Sequence, residues 1–95
     1  MEIVIWVVGY DIADDRRRQA VSALLSGYGA RVQFSLFECD LPTAELAREV
    51  QTQLRTLIDE HDDQVRMYPL PTPAADRFVV LGRRRLEERA DFWII

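Results

Sequence analysis

No lysine occurs in this 95-residue chain, which also has one cysteine, four glycines, four prolines and no apolar run longer than the six residues from Ile3 to Val8. Each scarcity excludes something. A lone Cys39 forms no intramolecular disulfide and has no second thiol for a CxxC metal or redox site. The expected compartment is therefore the reducing cytoplasm. Six apolar residues are too few for a membrane span of about 20, and the start Met1-Glu2-Ile3 lacks the basic segment of a secretion signal, so a chain that is neither exported nor inserted in a membrane is expected. There is no Gly/Ser linker and no repeat at a period of about 20 to 50 residues. One domain over residues 1–95 is expected, with a core at 1–70 and a dimer-completing extension at 71–95. The chain has no glycine-rich phosphate loop, no HExxH and no GxSxG, and Ser35 has no nearby histidine to activate it.

What is present is 48% apolar and 29% charged, which excludes a disordered chain. Sixteen acids against twelve arginines give a net charge of −4. That balance argues against a general nucleic-acid binder, whose usual footprint is basic. Residues 42 to 63, however, hold six of the acids and only two arginines, so this segment alone accounts for the net charge. Elsewhere arginines cluster, at Arg16-Arg17-Arg18 and Arg83-Arg84-Arg85. An all-arginine complement suits bidentate phosphate contacts better than lysine does.

The run at 2–10 is β-branched and aromatic without polar alternation, which predicts a strand buried on both faces. Asp14 and Asp15 open a helix over 14–28 with Val21, Leu24, Leu25 and Tyr28 on one stripe, closed by Gly27 and Gly29. Between Arg31 and Leu41 the alternation is in phase at Val32, Phe34 and Leu36, then restarts at Phe37, Cys39 and Leu41. A period of two slips only at a bulge or a break, so two short strands meet at a kink or tight reversal near Ser35. Pro42 and Thr43 open a second helix ending near His61, and 64–70 makes a strand that Pro69 limits to an edge or a strand end. The apolar runs at 78–81 and 92–95 are each candidates for an added strand. The order β, α, β, β, α, β predicts an α+β chain of the split βαβ, ferredoxin-like plan with an additional C-terminal strand. Right-handed crossovers put both helices on one sheet face. The other face then needs cover, which points to a homodimer with sheets stacked face to face.

Asp11 ends the first strand, where sheets carrying helices tend to place their sites, and it stands either as a site carboxylate or as a turn residue. Three arginines in the first turn of a helix oppose its dipole. They either form a surface turn neutralised by Asp14 and Asp15, or converge with the helix N-terminus on a phosphate, with Arg31 alongside. Phe34, Phe37 and Tyr28 are core residues by their spacing, with stacking on bases as the alternative. His61, among Asp59, Asp62 and Asp63, suits a helix C-terminus better than a metal.

Tyr10-Asp11-Ile12 after an apolar strand, Asp14-Asp15-Arg16-Arg17-Arg18, Ser26-Gly27-Tyr28-Gly29 and the stretch from Arg31 to Cys39 together resemble the Cas-two family of CRISPR-associated proteins. The resemblance runs over most of residues 2 to 41 and more loosely to the strand at 64–70. It departs from the family in its lack of lysine and in an arginine-rich tail. It implies a ferredoxin-like homodimer of the adaptation stage, which bridges two dimers of the Cas-one integrase and helps hold spacer DNA. It also implies a metal-dependent nuclease on single-stranded RNA or double-stranded DNA, with Mg²⁺ or Mn²⁺ as cofactor. By the family's pattern the metal-binding and catalytic residue falls on Asp11, beside Tyr10. The supporting positions fall on Arg18 with its neighbour Arg17, Arg31, Ser35 and Phe37. One carboxylate per chain is a weak Mg²⁺ site, so a dimer that brings two copies of Asp11 together is the arrangement such chemistry needs. A non-catalytic nucleic-acid scaffold is the alternative of a different class. A small-molecule regulatory domain and a toxin-like ribonuclease of similar fold stand further off.

Overall fold

The structure, a computed structural model of the chain, describes residues 4–70 and 79–82. Its elements follow in the order β1 (Ile5–Asp11), α1 (Asp15–Ser26), β2 (Gly29–Gln33), β3 (Leu36–Asp40), α2 (Ala44–Leu57) and β4 (Gln64–Pro69). The four strands form one sheet in the order β2-β3-β1-β4, with every neighbouring pair antiparallel. Each β-α-β crossover thus leaves a gap that another strand fills. This is the split βαβ, ferredoxin-like plan.

Alternation along the strands decides what lies on each face. Val8 and Tyr10 of β1 and Phe37 and Cys39 of β3 point to one side, where they form a single core with Val21 and Leu25 of α1 and Ala47, Val50 and Leu54 of α2. The second face of β1, expected to be buried, has no cover within the single chain. Ile5, Val7 and Gly9 are only half-buried, because both helices lie on the Val8 side. The open face carries Val7, Gly9 and Asp11, then Leu36, Glu38 and Asp40, then Gln64, Arg66 and Tyr68, by the register of the three strands.

Both helices start at side-chain caps: Asp14 accepts from the Arg17 amide at 3.0 Å, and Thr43 accepts from the Leu46 amide at 3.0 Å. The second helix stops at Leu57, four residues before His61. Ile58 is already extended there (φ −103°, ψ 163°), and the Asp62 and Asp63 amides turn back onto the Asp59 carbonyl. The reversal expected near Ser35 is the turn between β2 and β3, and a register shift between Arg31 and Gln33 absorbs the slip in alternation. Within the expected tail strands, Val79, Val80 and Leu81 are exposed and carry no strand pairing, while the run at 92–95 lies outside the described residues. Among the described residues no helix is long and apolar enough to cross a membrane.

Candidate nucleic-acid and metal site

Asp11 is the last residue of β1 and is exposed on the open face. Its carboxylate makes no hydrogen bond or ion pair with another described residue. It lines a hollow of about 410 Å³ with Val7, Gly9, Ser35, Leu36, Gln64, Arg66 and Tyr68, bordered by Tyr10 and Phe34. The β2–β3 turn is tied to the end of β1, since the Tyr10 amide donates to the Ser35 carbonyl at 3.0 Å. Asp11 and Ser35 are thus brought together, 24 residues apart in sequence, by backbone pairing alone.

Arg18 and Arg31 meet elsewhere. They line a second hollow of about 290 Å³ beside α1, with Asp15, Gln19 and Ser22. The two hollows share Tyr10 and Phe34. Arg18 Nη1 donates to the Ile12 carbonyl at 2.6 Å, and its Nη2 is paired with Asp15. Arg31 Nη2 donates to the Ser22 hydroxyl, and its guanidinium sits 5.5 Å from the centroid of the Phe37 ring, within cation–π reach.

Arg17 lines neither hollow. Its Nε donates to Asp63 Oδ2 at 2.7 Å and its Nη2 to Asp63 Oδ1 at 3.1 Å, and the Ala13 and Asp59 amides complete the carboxylate. The Arg17 hydrogen bond holds the Asp63 carboxyl well below the usual carboxylate range, against the opposing effect of burial. Arg17 is held above its ordinary value by the same bond. Of the two readings of the arginine run, convergence of three guanidinium groups on one phosphate is not what the single chain shows. Arg16 is exposed, Arg17 faces the α2–β4 turn, and Arg18 leans back on Ile12 and Asp15.

Phe37 and Tyr10 belong to the core. Phe37 is 1% exposed and Tyr10 8%, with ring centroids 6.4 Å apart. Phe37 supports the second hollow from beneath, through Arg31. Phe34, at 51% exposure, is the aromatic ring open to a ligand at the turn. Cys39 is fully buried, and burial pushes its thiol up to about 11, so it is an inert core residue at neutral pH.

Motif reasoning passed over two features. Gln64, Arg66 and Tyr68 form the β4 wall of the Asp11 hollow; the signal was the alternation of these three with Val65 and Met67. Asp63 had no local signal, because its partner Arg17 is 46 residues away. Among the described residues no three His, Cys, Asp or Glu side chains gather around a metal position.

Comparison with known proteins gives a consistent assignment. The family model described as CRISPR associated protein Cas2 matches residues 4–77. The chain is 46% identical over 76 residues to a CRISPR-associated endoribonuclease Cas2 of Chloroflexus aurantiacus, covering 80% of this chain and 81% of that one. The crystal structure of Streptococcus pyogenes Cas2 at pH 6.5 superposes with a TM-score of 0.72 at 32% identity, over 82% of this chain and 99% of that one. A chain of a partial Cas6-RT-Cas1–Cas2 complex shares the fold, with a TM-score of 0.70 at 24% identity over 83% of this chain and 85% of that one. A family match over most of the chain, with relatives this similar along most of their own length, means that the chain belongs to the CRISPR-associated protein Cas2 family.

Proposed function

We propose that two copies of the chain pair across the open sheet face and act as a metal-dependent endonuclease on RNA or DNA phosphodiesters, within the spacer-acquisition stage of CRISPR immunity. The observation that carries this reading is Asp11: an exposed carboxylate, without a partner among the described residues, in a hollow on the sheet face that the helices leave open. The endoribonuclease name of the Chloroflexus relative supports the reaction class. Half-buried Ile5, Val7 and Leu36 on the same face, with exposed Tyr68, support the pairing.

A single carboxylate fits a divalent ion poorly, since Mg²⁺ takes one or two carboxylates together with water and phosphate oxygens. Asp11 from each of two copies supplies a hard-oxygen donor set that fits Mg²⁺ or Mn²⁺. When bound, the ion would lower the pKa of a bound water and neutralise phosphoryl oxygens. The protein's own part is placement. Pairing of β1 with β4 sets Asp11 opposite Gln64, and the Tyr10–Ser35 bond fixes the turn beside it. Gly9 keeps the floor of the hollow low enough for a sugar-phosphate chain to approach. Around the turn, Arg18 and Arg31 supply positive charge for flanking phosphates, on a surface continuous with the Asp11 hollow through Tyr10 and Phe34.

One observation favours a second reading, a non-catalytic scaffold that holds spacer DNA and bridges Cas1 integrase dimers. Asp11 is the sole acid lining its hollow among the described residues. The fold shared with a chain of a Cas1–Cas2 complex agrees with that role. Wild type and Asp11→Ala, assayed on single-stranded RNA and duplex DNA with Mg²⁺, Mn²⁺ or EDTA, separate the two. The expected result is cleavage by wild type that EDTA abolishes and Asp11→Ala lowers by roughly a hundredfold or more. Identical behaviour of the two proteins on every substrate leaves the scaffold.

A further inference from the structure

We infer that Asp63 is a positioning residue for Asp11: held by Arg17, it clamps the peptide group that follows Asp11 and so fixes where that carboxylate stands. The inference rests on the reading above, which makes Asp11 the ligand of a divalent ion, and adds the part of the chain that sets the ligand in place.

Asp11 stands where the sheet runs out. Pairing of β1 with β3 ends at Gly9, opposite Leu36, and the Tyr10 amide makes one further bond on that side, to the Ser35 carbonyl. At Asp11 itself the ladder continues only through Gln64 of β4, and theirs is the last pair. Strand ends held in this way fray unless something beyond them ties the chain down. Two side chains do so here. The Ala13 amide donates to Asp63 Oδ1 at 3.0 Å, and Arg18 Nη1 donates to the Ile12 carbonyl at 2.6 Å. That N–H and that carbonyl belong to one planar peptide group, so bonds at both of its ends fix the direction in which the chain leaves Asp11. Because Asp63 directly precedes Gln64, its bond to Ala13 adds a side-chain rung to the β1–β4 ladder just past Asp11.

The clamp is itself held. The Asp63 side chain has no exposed surface, Arg17 grips it with Nε on Oδ2 at 2.7 Å and Nη2 on Oδ1 at 3.1 Å, and the Asp59 amide donates to Oδ2 at 2.9 Å. A two-pronged arginine–carboxylate pair has a defined orientation. As a source of stability a buried ion pair does no better than apolar residues of the same volume. What it supplies is geometry, and here that geometry is passed to the residue after Asp11 but one. Arg17 therefore acts on the site without lining it.

The test is Mn²⁺ affinity, measured by electron paramagnetic resonance at neutral pH on the full chain as wild type, Asp63→Asn, Arg17→Gln and the double variant. Circular dichroism and light scattering on each sample express the affinity per folded dimer. Asp63→Asn and Arg17→Gln are each expected to weaken binding roughly tenfold or more. The double variant is expected to lose no more than the worse of the two, because the pair acts as a unit. Val50→Ala, a truncation in the core of α2 outside both hollows, lowers stability and keeps wild-type affinity. Amide nitrogen relaxation of the metal-free chains gives a second readout: the order parameter at Asp11 falls in Asp63→Asn and is unchanged in Val50→Ala. Folded Asp63→Asn that binds Mn²⁺ as wild type does overturns the inference. Should Asp63→Asn not fold, Arg17→Gln, which leaves the Ala13 and Asp59 bonds in place, decides by the same readouts. Wild type that binds Mn²⁺ no better than Asp11→Asn defeats the metal reading by itself: loss of order at Asp11 in Asp63→Asn then upholds the clamp, and unchanged order overturns it.

Discussion

Asp63 has no exposed side-chain surface, and a carboxylate in that position is tolerated only when its oxygens are filled. Four donors fill them, from Arg17 twice, Ala13 and Asp59. The bond network joins the loop after β1, which follows directly on Asp11, to the turn before β4. A folded-state pKa held below the ordinary value near 3.9 means that the unfolded chain binds the proton more readily. The stabilisation is therefore fully present above about pH 4 and is lost as the pH falls below that toward the folded value. Thermal unfolding measured against pH is expected to show a decline below about pH 4 in wild type. Asp63→Asn should be less stable at pH 7 and show a shallower decline. Equal slopes for the two would mean that other acids carry the pH dependence. Asp11 was legible as a site candidate because a carboxylate interrupts an apolar strand. Asp63 was not, because it reads as one more acid in an acidic turn until the fold brings Arg17 to it.

At the scale of elements, the two strand phases around Ser35 and the two capped helix starts were legible, since each follows from local stereochemistry. The closeness of β2 to β3 was not. A β-carbon at Gly29 would collide with the Glu38 carbonyl oxygen and come within 2.7 Å of the Cys39 α-carbon, so only glycine allows the pairing. In the sequence Gly29 reads as the end of α1; in the fold it is the first residue of β2. Gly29→Ala is expected to cost about 2 kcal/mol or more, because backbone rather than a flexible side chain must move. Chemical denaturation checks this, and a loss under about 0.5 kcal/mol, the range of an ordinary surface change, would contradict it. The same hairpin carries Arg31, Phe34 and Ser35, so the substitution should also weaken RNA binding in proportion to the unfolded fraction. The end of α2 was misjudged by four residues for a related reason. Asp63 accepts the Asp59 amide across the turn and ends the helix early, a contact invisible to helical periodicity.

For the whole molecule, the net charge of −4 is a poor guide to what the chain binds. Glu45, Glu49, Asp59, Glu60 and Asp62 are exposed on α2 and the turn after it, whereas Arg18 and Arg31 line a hollow beside α1. Charge is thus distributed unevenly, and a net acidic protein still presents arginines locally to a polyanion. The open sheet face was legible as an inference from β-α-β handedness, and its half-buried apolar residues agree with a second copy as its cover. The central claim is that the metal site is shared, one Asp11 from each of two chains. The most direct measurement is the stoichiometry of Mn²⁺ binding to the purified protein by electron paramagnetic resonance or calorimetry, with light scattering on the same sample. A shared site predicts a dimer, one ion for every two chains, and loss of that ion in Asp11→Asn. One ion per chain, or binding unchanged by Asp11→Asn, would contradict it.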